Sequence, residues 1–264
     1  MQLIPSADNI QIACETIGAG PALIFAHGLT SHSRISRAQL APLADRFRVI
    51  MFDQRGHGES TAVSDPPLYT PQGMADDLLS VLDALEIESA VVGGESMGAA
   101  TALTFALKYP SRVKRLLLTA PAFGETVNSE RNRLVEMGEN LGRLGMKQFL
   151  AHAAESQRQQ FNWSPELIAL VASMFAAHDP LSLATALKTV ADWRPFPDLS
   201  VVAKLTCPVC ILAWEQDPLH PFALARRLAD TFPNVQLKMM APLPALFLDL
   251  PQVARWYGEF LDAG

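Results

Sequence analysis

The chain has 264 residues, which is long enough to bury the core of one large α/β domain. Hydrophobic residues account for 49% of the chain and charged residues for 18%, a composition that excludes a disordered or low-complexity protein. The net charge is −6, from 21 Lys and Arg against 27 Asp and Glu, and the basic residues form no cluster. We therefore expect a small-molecule partner, and neither a nucleic acid nor a membrane surface.

Short apolar runs of β type alternate along the chain with segments of helical period. The predicted strands are residues 10–16, 22–26, 48–52, 90–93, 113–119, 209–213 and 235–240. The predicted helices between them are residues 71–85, 97–108, 222–231 and 252–261. This alternation is typical of an α/β fold with a mainly parallel sheet flanked by helices.

The alternation is interrupted once, between Thr119 and Cys207. An amphipathic helix is predicted there by apolar residues at spacings of 3, 4 and 3, namely Leu134, Met137, Leu141 and Leu144. A second helix begins after Ser164, a favourable N-cap residue, and a third covers residues 181–193. The sequence therefore predicts a helical cap, residues 123–205, inserted in a core made of residues 1–122 and 206–264.

A G-x-S-x-G motif, Gly94 to Gly98, lies directly after a predicted strand and directly before a predicted helix. A serine on such a turn is held in a strained conformation that only small neighbours allow, and its hydroxyl lies at a helix N-terminus that favours a developing anion. Ser96 is therefore the candidate nucleophile. The alternative is an ordinary serine N-cap flanked by glycines.

Two further motifs follow predicted strands: His27-Gly28-Leu29-Thr30, and the run from Asp53 to Ser60. Together with the serine turn they resemble the α/β-hydrolase family, in its esterase-like branch with a helical cap, over essentially the whole chain. The resemblance implies an oxyanion hole formed by the backbone N–H groups of Leu29 and Met97. It also implies loop-fixing roles for His27 and His57, and a serine nucleophile argues against the haloalkane dehalogenase and epoxide hydrolase branches.

The acid and the base of the triad follow the serine in the family order. Asp217 is the candidate acid because it lies directly after the predicted strand 209–213; the alternative is a turn aspartate before Pro218. The other acid position that some family members use, residues 120–122 here, holds no carboxylate. The family's usual histidine position, seven residues before Pro251, is occupied by Pro244, and no histidine follows His220. His220 lies three residues after Asp217 and is the candidate relocated base; the alternative is a loop histidine that holds the acid turn.

The remaining histidines and the cysteines carry weaker signals. His32 could line the mouth of the pocket, whereas His152 and His178 fall in the predicted cap as solvated or packing residues. Glu95 could tune the site electrostatically. The pair at 207 and 210 is interpreted as cysteines of a buried strand, and since no phosphate-binding glycine loop or ligand-spaced cluster occurs, we expect no cofactor and no metal.

These residues predict a serine hydrolase that cleaves a small ester, lactone or thioester through an acyl-enzyme, with Ser96, Asp217 and a relocated His220. Two alternatives follow from the absent histidine. One is a non-hydrolytic enzyme of the same fold, an isomerase, cyclase, lyase or cofactor-free oxygenase, and the other is a catalytically silent small-molecule binding protein. A signal peptide and an apolar run of about 18 residues are both lacking, so we expect a cytoplasmic protein; nothing indicates an oligomeric state.

Overall fold

One sheet of eight strands organises the protein in a computed structural model that describes residues 1–241 and 243–263, and the side chains of these except 243–245. The strands are β1 (Gln2–Pro5), β2 (Gln11–Ile17), β3 (Ala22–Ala26), β4 (Arg48–Phe52), β5 (Ala90–Glu95), β6 (Val113–Thr119), β7 (Val209–Ala213) and β8 (Val235–Met239). Their order is β1-β2-β4-β3-β5-β6-β7-β8. Strands β3 to β8 are parallel, and β2 pairs antiparallel with β1 and β4.

Helices occupy the connections between the strands. They are α1 (Ser33–Leu40), α2 (Pro71–Ala84), α3 (Met97–Lys108), α4 (Arg131–Phe161), α5 (Pro165–Ala176), α6 (Pro180–Val190), α7 (Phe222–Thr231), α8 (Leu243–Leu248) and α9 (Gln252–Asp262). The helices cover both faces of the sheet: one apolar cluster includes residues of α2 and α3, and the other includes residues of α1 and α9. The central strand β3 is wholly apolar, and β5 is apolar up to Glu95, because both faces of these strands are buried.

The carboxyl ends of β3, β5 and β7 bring the candidate site residues to one edge of the sheet. Parallel strands that lie side by side end at the same edge, where their connecting loops meet. The paired residues Ala26 and Gly94 place the end of β3 beside the end of β5, and Thr119 and Leu212 join β6 to β7. Residues separated by more than a hundred positions therefore meet at this edge.

Helices α4, α5 and α6 all lie between β6 and β7. Helix α4 is interrupted at Gly145, whose φ of 70° and ψ of 164° are not helical. The side chains of Ser164 and Asp179 accept hydrogen bonds from the first turns of α5 and α6, which explains where these helices begin. In the described part of the chain, no single helix is long and apolar enough to cross a membrane; α5 and α6 pass that test only as a pair bent by 96°.

The predicted fold class is confirmed, and most elements lie within two residues of their predicted bounds. Three elements were not predicted: the edge strand β1, helix α1 and the short helix α8. The third helix of the inserted segment begins at Pro180 and ends at Val190, earlier than the predicted end at residue 193. The division into a core and a helical cap stays a prediction, and residues 123–205 are called the inserted segment below.

Candidate active site

Ser96 lies on a strained turn between β5 and α3. Its φ of 54° and ψ of −109° are unusual for a residue with a side chain, and its N–H donates a 2.9 Å hydrogen bond to Thr119 O. The turn has room only for glycine on either side. A Cβ added to Gly94 would lie 2.0 Å from Gly98 O, and one added to Gly98 would lie 2.0 Å from Ala26 O. The G-x-S-x-G spacing is therefore a packing requirement of this turn.

Asp217 organises the four residues from Asp217 to His220. Its Oδ1 accepts hydrogen bonds from the N–H groups of Leu219, at 3.0 Å, and His220, at 3.3 Å. Its Oδ2 accepts a 2.8 Å hydrogen bond from Trp214 Nε1. An aspartate that binds backbone N–H groups two and three residues ahead folds the chain into a tight turn. This turn brings the imidazole of His220 back over the carboxylate.

His220 contacts both other candidate residues. Its Nδ1 lies 2.7 Å from Asp217 Oδ2, and its Nε2 lies 2.9 Å from Ser96 Oγ. With the carboxylate as acceptor on one side, the neutral ring carries its proton on Nδ1 and presents the Nε2 lone pair to the serine hydroxyl. The ring also packs against Trp214, with centroids 5.6 Å apart. The structure thus brings the three predicted residues into one hydrogen-bonded chain.

The pKa of Asp217 reflects this environment. Partial burial favours the neutral acid, but the hydrogen bond and charge of His220 and the Trp214 N–H outweigh burial and lower the pKa of Asp217 to about 2. The carboxylate is therefore ionised at every pH at which an imidazole titrates. A fixed negative charge beside Nδ1 stabilises the protonated ring that forms when the serine loses its proton.

The loop after β3 lies against the serine turn. A Cβ added to Gly28 would lie 3.6 Å from Ser96 Cβ. His27 Nε2 accepts a 2.9 Å hydrogen bond from Gln54 N, which leaves the proton on Nδ1 to be donated to Gly28 O at 2.8 Å. That carbonyl belongs to the same peptide group as the N–H of Leu29. His27 therefore fixes the orientation of a predicted oxyanion donor.

Two further buried histidines pack behind this loop. His57 Nε2 lies 2.7 Å from Leu29 O, and His178, between α5 and α6, accepts a 3.0 Å hydrogen bond from Gly58 N at Nδ1. The rings of His57 and His178 are 5.1 Å apart. Burial lowers the pKa of His57 and, together with neighbouring histidines, lowers the pKa of His178 to about 2. Both rings are therefore neutral at ordinary pH.

Glu95 was predicted only as a possible electrostatic neighbour, and its side chain lines the cavity beside Ser96. Its Oε2 accepts a 2.8 Å hydrogen bond from Nε2 of the buried Gln39, on α1. Burial raises the pKa of the Glu95 carboxyl, although the Gln39 hydrogen bond and the proximity of His220 oppose this shift. A second carboxyl group besides that of Asp217 is therefore close enough to interact electrostatically with His220.

A cavity of about 240 Å³ opens above the serine and is called the serine cavity below. The chain outside the inserted segment contributes the loop after β3, Glu95, Ser96, Leu219, His220 and Phe247. The inserted segment contributes Phe123, Arg133, Leu134, Met137, Gln157, Trp163, Val171, Met174 and Phe175. Most of this lining is apolar, so the cavity suits a small molecule with one reactive polar group.

Other predicted positions fall outside this arrangement. His152 is exposed on α4, and His32 is buried at the start of α1. Pro244 lies in α8, and its side chain is outside the described part of the structure. Cys210 is buried in β7 and Cys207 is half-buried just before it; both are free thiols. Across the residues that the structure describes, no group of three His, Cys, Asp or Glu side chains could hold a metal ion.

Two neighbours of the site were not predicted from the sequence. Trp214 was quoted only as part of the acid loop, yet its indole donates to Asp217. Gln39 lay in an unpredicted helix, yet it contacts Glu95. A tryptophan three residues before an acid at the end of a strand is a weak sequence signal that could have indicated the first contact. No comparable signal exists for the second.

The comparisons with known proteins agree with this fold. A family model described as alpha/beta hydrolase fold matches residues 21–243, which confirms the resemblance found in the sequence. An epoxide hydrolase of Caballeronia sordidicola is 41% identical over 50% of this chain and 41% of its own length. A 2-(acetamidomethylene)succinate hydrolase of Mesorhizobium japonicum is 35% identical over 47% of this chain and 44% of its own length. Both matches therefore span less than half of those relatives.

Among solved structures, a thermophilic esterase of Thermogutta terrifontis superposes with a TM-score of 0.82. It is 25% identical in sequence, and the match covers 99% of this chain and 98% of the esterase. The similarity therefore includes the inserted segment as well as the sheet.

Proposed function

The chain belongs to the α/β hydrolase fold family, and from that premise we propose that it is a serine hydrolase that cleaves a small ester, lactone or thioester. One observation carries the proposal: His220 hydrogen-bonds to Ser96 Oγ with Nε2 and to Asp217 with Nδ1. A base within reach of the serine and an acid that orients the base are what nucleophilic acyl transfer requires. Relatives named as hydrolases support hydrolysis in general, and a neighbour named as an esterase supports an ester as the substrate.

Acylation begins when Ser96 Oγ attacks the carbonyl carbon and His220 Nε2 accepts the hydroxyl proton. The negative charge that develops on the carbonyl oxygen is stabilised by the N–H groups of Leu29 and Met97. The Met97 N–H is available because the first N–H groups of a helix have no acceptor within the helix. Collapse of this intermediate expels the alcohol, thiol or ring oxygen, which takes the proton from His220.

Deacylation repeats these steps with water. His220 Nε2 removes a proton from the water as its oxygen attacks the acyl carbon, and the same two N–H groups stabilise the second oxyanion. Collapse returns the proton from His220 to Ser96 Oγ and releases the carboxylic acid. The ionised Asp217 keeps the ring in one tautomer throughout the cycle.

The two alternatives, a non-hydrolytic enzyme and a binding protein, were based on the proline that occupies the usual histidine position. A histidine 2.9 Å from the serine is a candidate base in place of the absent one, which supports hydrolysis over those alternatives. The relative named as an epoxide hydrolase matches only half of this chain. Ester hydrolysis therefore remains the better-supported activity, and epoxide opening becomes an outcome of the test.

Fluorophosphonate labelling followed by intact-mass measurement and peptide mapping tests the proposal. We expect rapid labelling of wild type at Ser96, no labelling of Ser96→Ala, and labelling at least 100-fold slower for His220→Ala, on the order of one lost general base. His152→Ala, an exposed histidine of α4, is the matched control and should label like wild type.

Equal labelling of wild type and His220→Ala would remove His220 as the base. A folded wild type that resists the probe and hydrolyses no p-nitrophenyl ester, while opening an aryl epoxide, would contradict the ester hydrolase.

A further inference from the structure

A second, smaller cavity lies inside the inserted segment, between α4 and α5. It has a volume of about 70 Å³ and is called the inner cavity below. Its walls are Met137, Phe149, Leu150, Ala153, Ala154, Gln157, Val171, Ala172 and Phe175. A cavity needs about 10–15 Å³ on the same scale to hold one water, so several chain atoms fit in this space.

The inner cavity adjoins the serine cavity. Four side chains line both, namely Met137, Gln157, Val171 and Phe175. The two spaces are therefore separated by no more than the thickness of single side chains. Met137 is unbranched and has three rotatable side-chain bonds, so it can change rotamer and open a passage more easily than its branched or aromatic neighbours.

The chemistry of the walls selects the occupant. Apart from Gln157, every lining side chain is apolar, and three alanines supply the space by their small size. An apolar lining favours hydrocarbon groups, because polar groups would lose their hydrogen bonds to water against it. A charged or hydroxylated substrate is therefore disfavoured, and an alkyl chain is favoured.

The position of His220 indicates which end of the substrate enters. The leaving group must receive a proton from His220 Nε2, so it lies on the side of the Asp217–His220 loop. The inner cavity is lined by residues of α4 and α5. No described residue of the Asp217–His220 loop lines it. The acyl group, bound to Ser96 and pointing away from His220, therefore faces the inner cavity.

We infer that the substrate carries an unbranched apolar acyl chain whose far end occupies the inner cavity. This inference rests on the proposed serine hydrolase and names its substrate class: esters, thioesters or lactones of alkanoic acids longer than the serine cavity alone can hold. Ala154 on α4 and Ala172 on α5 both line the chain site, and their small side chains leave room for it.

The test is the acyl-length profile of kcat/KM, measured with p-nitrophenyl esters from acetate to dodecanoate. Each methylene that moves from water into an apolar site contributes about fourfold. We expect kcat/KM of wild type to rise at about that rate until the inner cavity is filled. In Ala154→Leu and Ala172→Leu the rise should stop at shorter chains, with acetate hydrolysis within about twofold of wild type.

Ala151→Leu is the matched control, since Ala151 is an exposed residue of the same helix as Ala154. It should keep the wild-type profile. The length profile of alkyl acetates, which extends the alcohol instead of the acid, should be the same in all four proteins. Thermal unfolding checks that each variant is folded. If one of the two cavity variants does not fold, the other alone provides the test.

Two results would overturn the inference: an unchanged acyl profile in both folded cavity variants, or a change confined to the alkyl acetate profile. Calorimetric binding of methyl octanoate to Ser96→Ala separates it from the proposed function. Binding that Ala154→Leu weakens at least tenfold, in a protein whose wild type hydrolyses no ester, would retain the chain site and reject the hydrolase. Ester hydrolysis by wild type at a rate that does not depend on acyl length would retain the hydrolase and reject the chain site.

Discussion

The two halves of the candidate site are built by different means. The serine half is fixed by backbone packing: the positive φ of Ser96 and glycines whose Cβ atoms would clash hold the turn in place. The histidine half is fixed by side-chain hydrogen bonds, most of which converge on the carboxylate of Asp217, while Asn128 Nδ2 donates a further one to Leu219 O at 2.8 Å. The serine half depends on glycines that lack a Cβ atom. The histidine half depends on the hydrogen bonds that the Asp217 carboxylate accepts.

This difference explains how the base can occupy an unusual position. A turn held by sterics has few alternative sequences, so its motif is recognisable in the chain. A base needs only a ring that reaches both the acid and the serine, and a four-residue turn around Asp217 provides that reach without the loop after β8. The contacts of the base with the acid and the serine are therefore constrained more tightly than its position in the sequence.

Asp217→Asn should produce the largest effect, because it removes the charge and can hold His220 in the wrong tautomer. We expect kcat for an activated ester to fall about 10³- to 10⁴-fold, with the fold retained. Steady-state kinetics at saturating substrate, with circular dichroism as the folding control, measures the effect.

In a His220→Ala background, Asp217→Asn should lower kcat by less than about tenfold, because the effects of residues that act as a unit are not additive. Additive losses in the double variant would mean that Asp217 does not act through His220.

Gly98→Ala tests the serine half. Its Cβ would meet Ala26 O at 2.0 Å and His27 O at 2.7 Å, so β3 or α3 must shift. We expect the free energy of unfolding to fall by about 3 kcal/mol, the upper range for overpacking, and labelling of Ser96 to be lost.

Gly142→Ala on α4 is the control, because its Cβ would meet only Ala184 Cβ at 3.8 Å. A helical glycine replaced by alanine there should raise stability by up to about 1 kcal/mol. Urea denaturation compares the two, and equal stabilities would contradict the steric account.

The sequence predicted the serine half better than its surroundings. Strand, turn and helix from residue 90 to 108 lay close to their predicted bounds because apolar strands and glycine spacing are local signals. Helix α1 escaped prediction because its buried face carries Ser33, Ser36 and Gln39, which do not form an apolar stripe. The edge strand β1 is too short and too exposed for a clear alternation.

For the histidine half, the sequence indicated the residues but not their contacts. A histidine three residues after an acid is compatible with a site and with an ordinary loop, and only the backbone path decides between them. That path depends on the positive φ of Gln216 and on the hydrogen bonds of Asp217. The inner cavity was likewise beyond prediction, because it arises where alanines of α4 and α5 face one another across two helices.

Stability should depend on pH through the histidines behind the loop after β3. The unfolded chain takes up protons near pH 6.5, whereas folded His178 does so only near pH 2, so the unfolded state binds more protons between these values. The contribution of His178 to the free energy of unfolding should be fully present above about pH 6.5. Below that value the free energy of unfolding should fall by up to about 1.4 kcal/mol per pH unit because of this residue.

Urea unfolding from about pH 8 to about pH 5 measures this slope. His178→Gln should have a shallower slope than wild type, whereas His152→Gln, at an exposed position, should not. Identical slopes in all three proteins would mean that His178 titrates normally in the fold.

Trp214→Phe should give the smallest effect in the histidine half. The ring that packs against His220 is largely kept, and only the 2.8 Å hydrogen bond to Asp217 Oδ2 is removed. A single hydrogen bond to a charged group is worth about 1.5–3 kcal/mol at most, and three other donors remain on Asp217, so kcat should fall about three- to tenfold.

Trp256→Phe on α9, where the ring lies 5.0 Å from the ammonium of Lys238 on β8, is the matched control and should leave kcat unchanged. A fall in kcat as large as that of Asp217→Asn would place the indole itself in the reaction.

The distance along the chain between the site's members also has a consequence for folding. Asp217 and His220 are three positions apart, while His220 and Ser96 are 124 apart. The acid and base can associate as soon as one loop closes, a local event, but the serine joins them only after β5, β6 and β7 have paired. We therefore expect chemical competence to arise only once these three strands have paired, whereas the acid–base pair needs only its own loop.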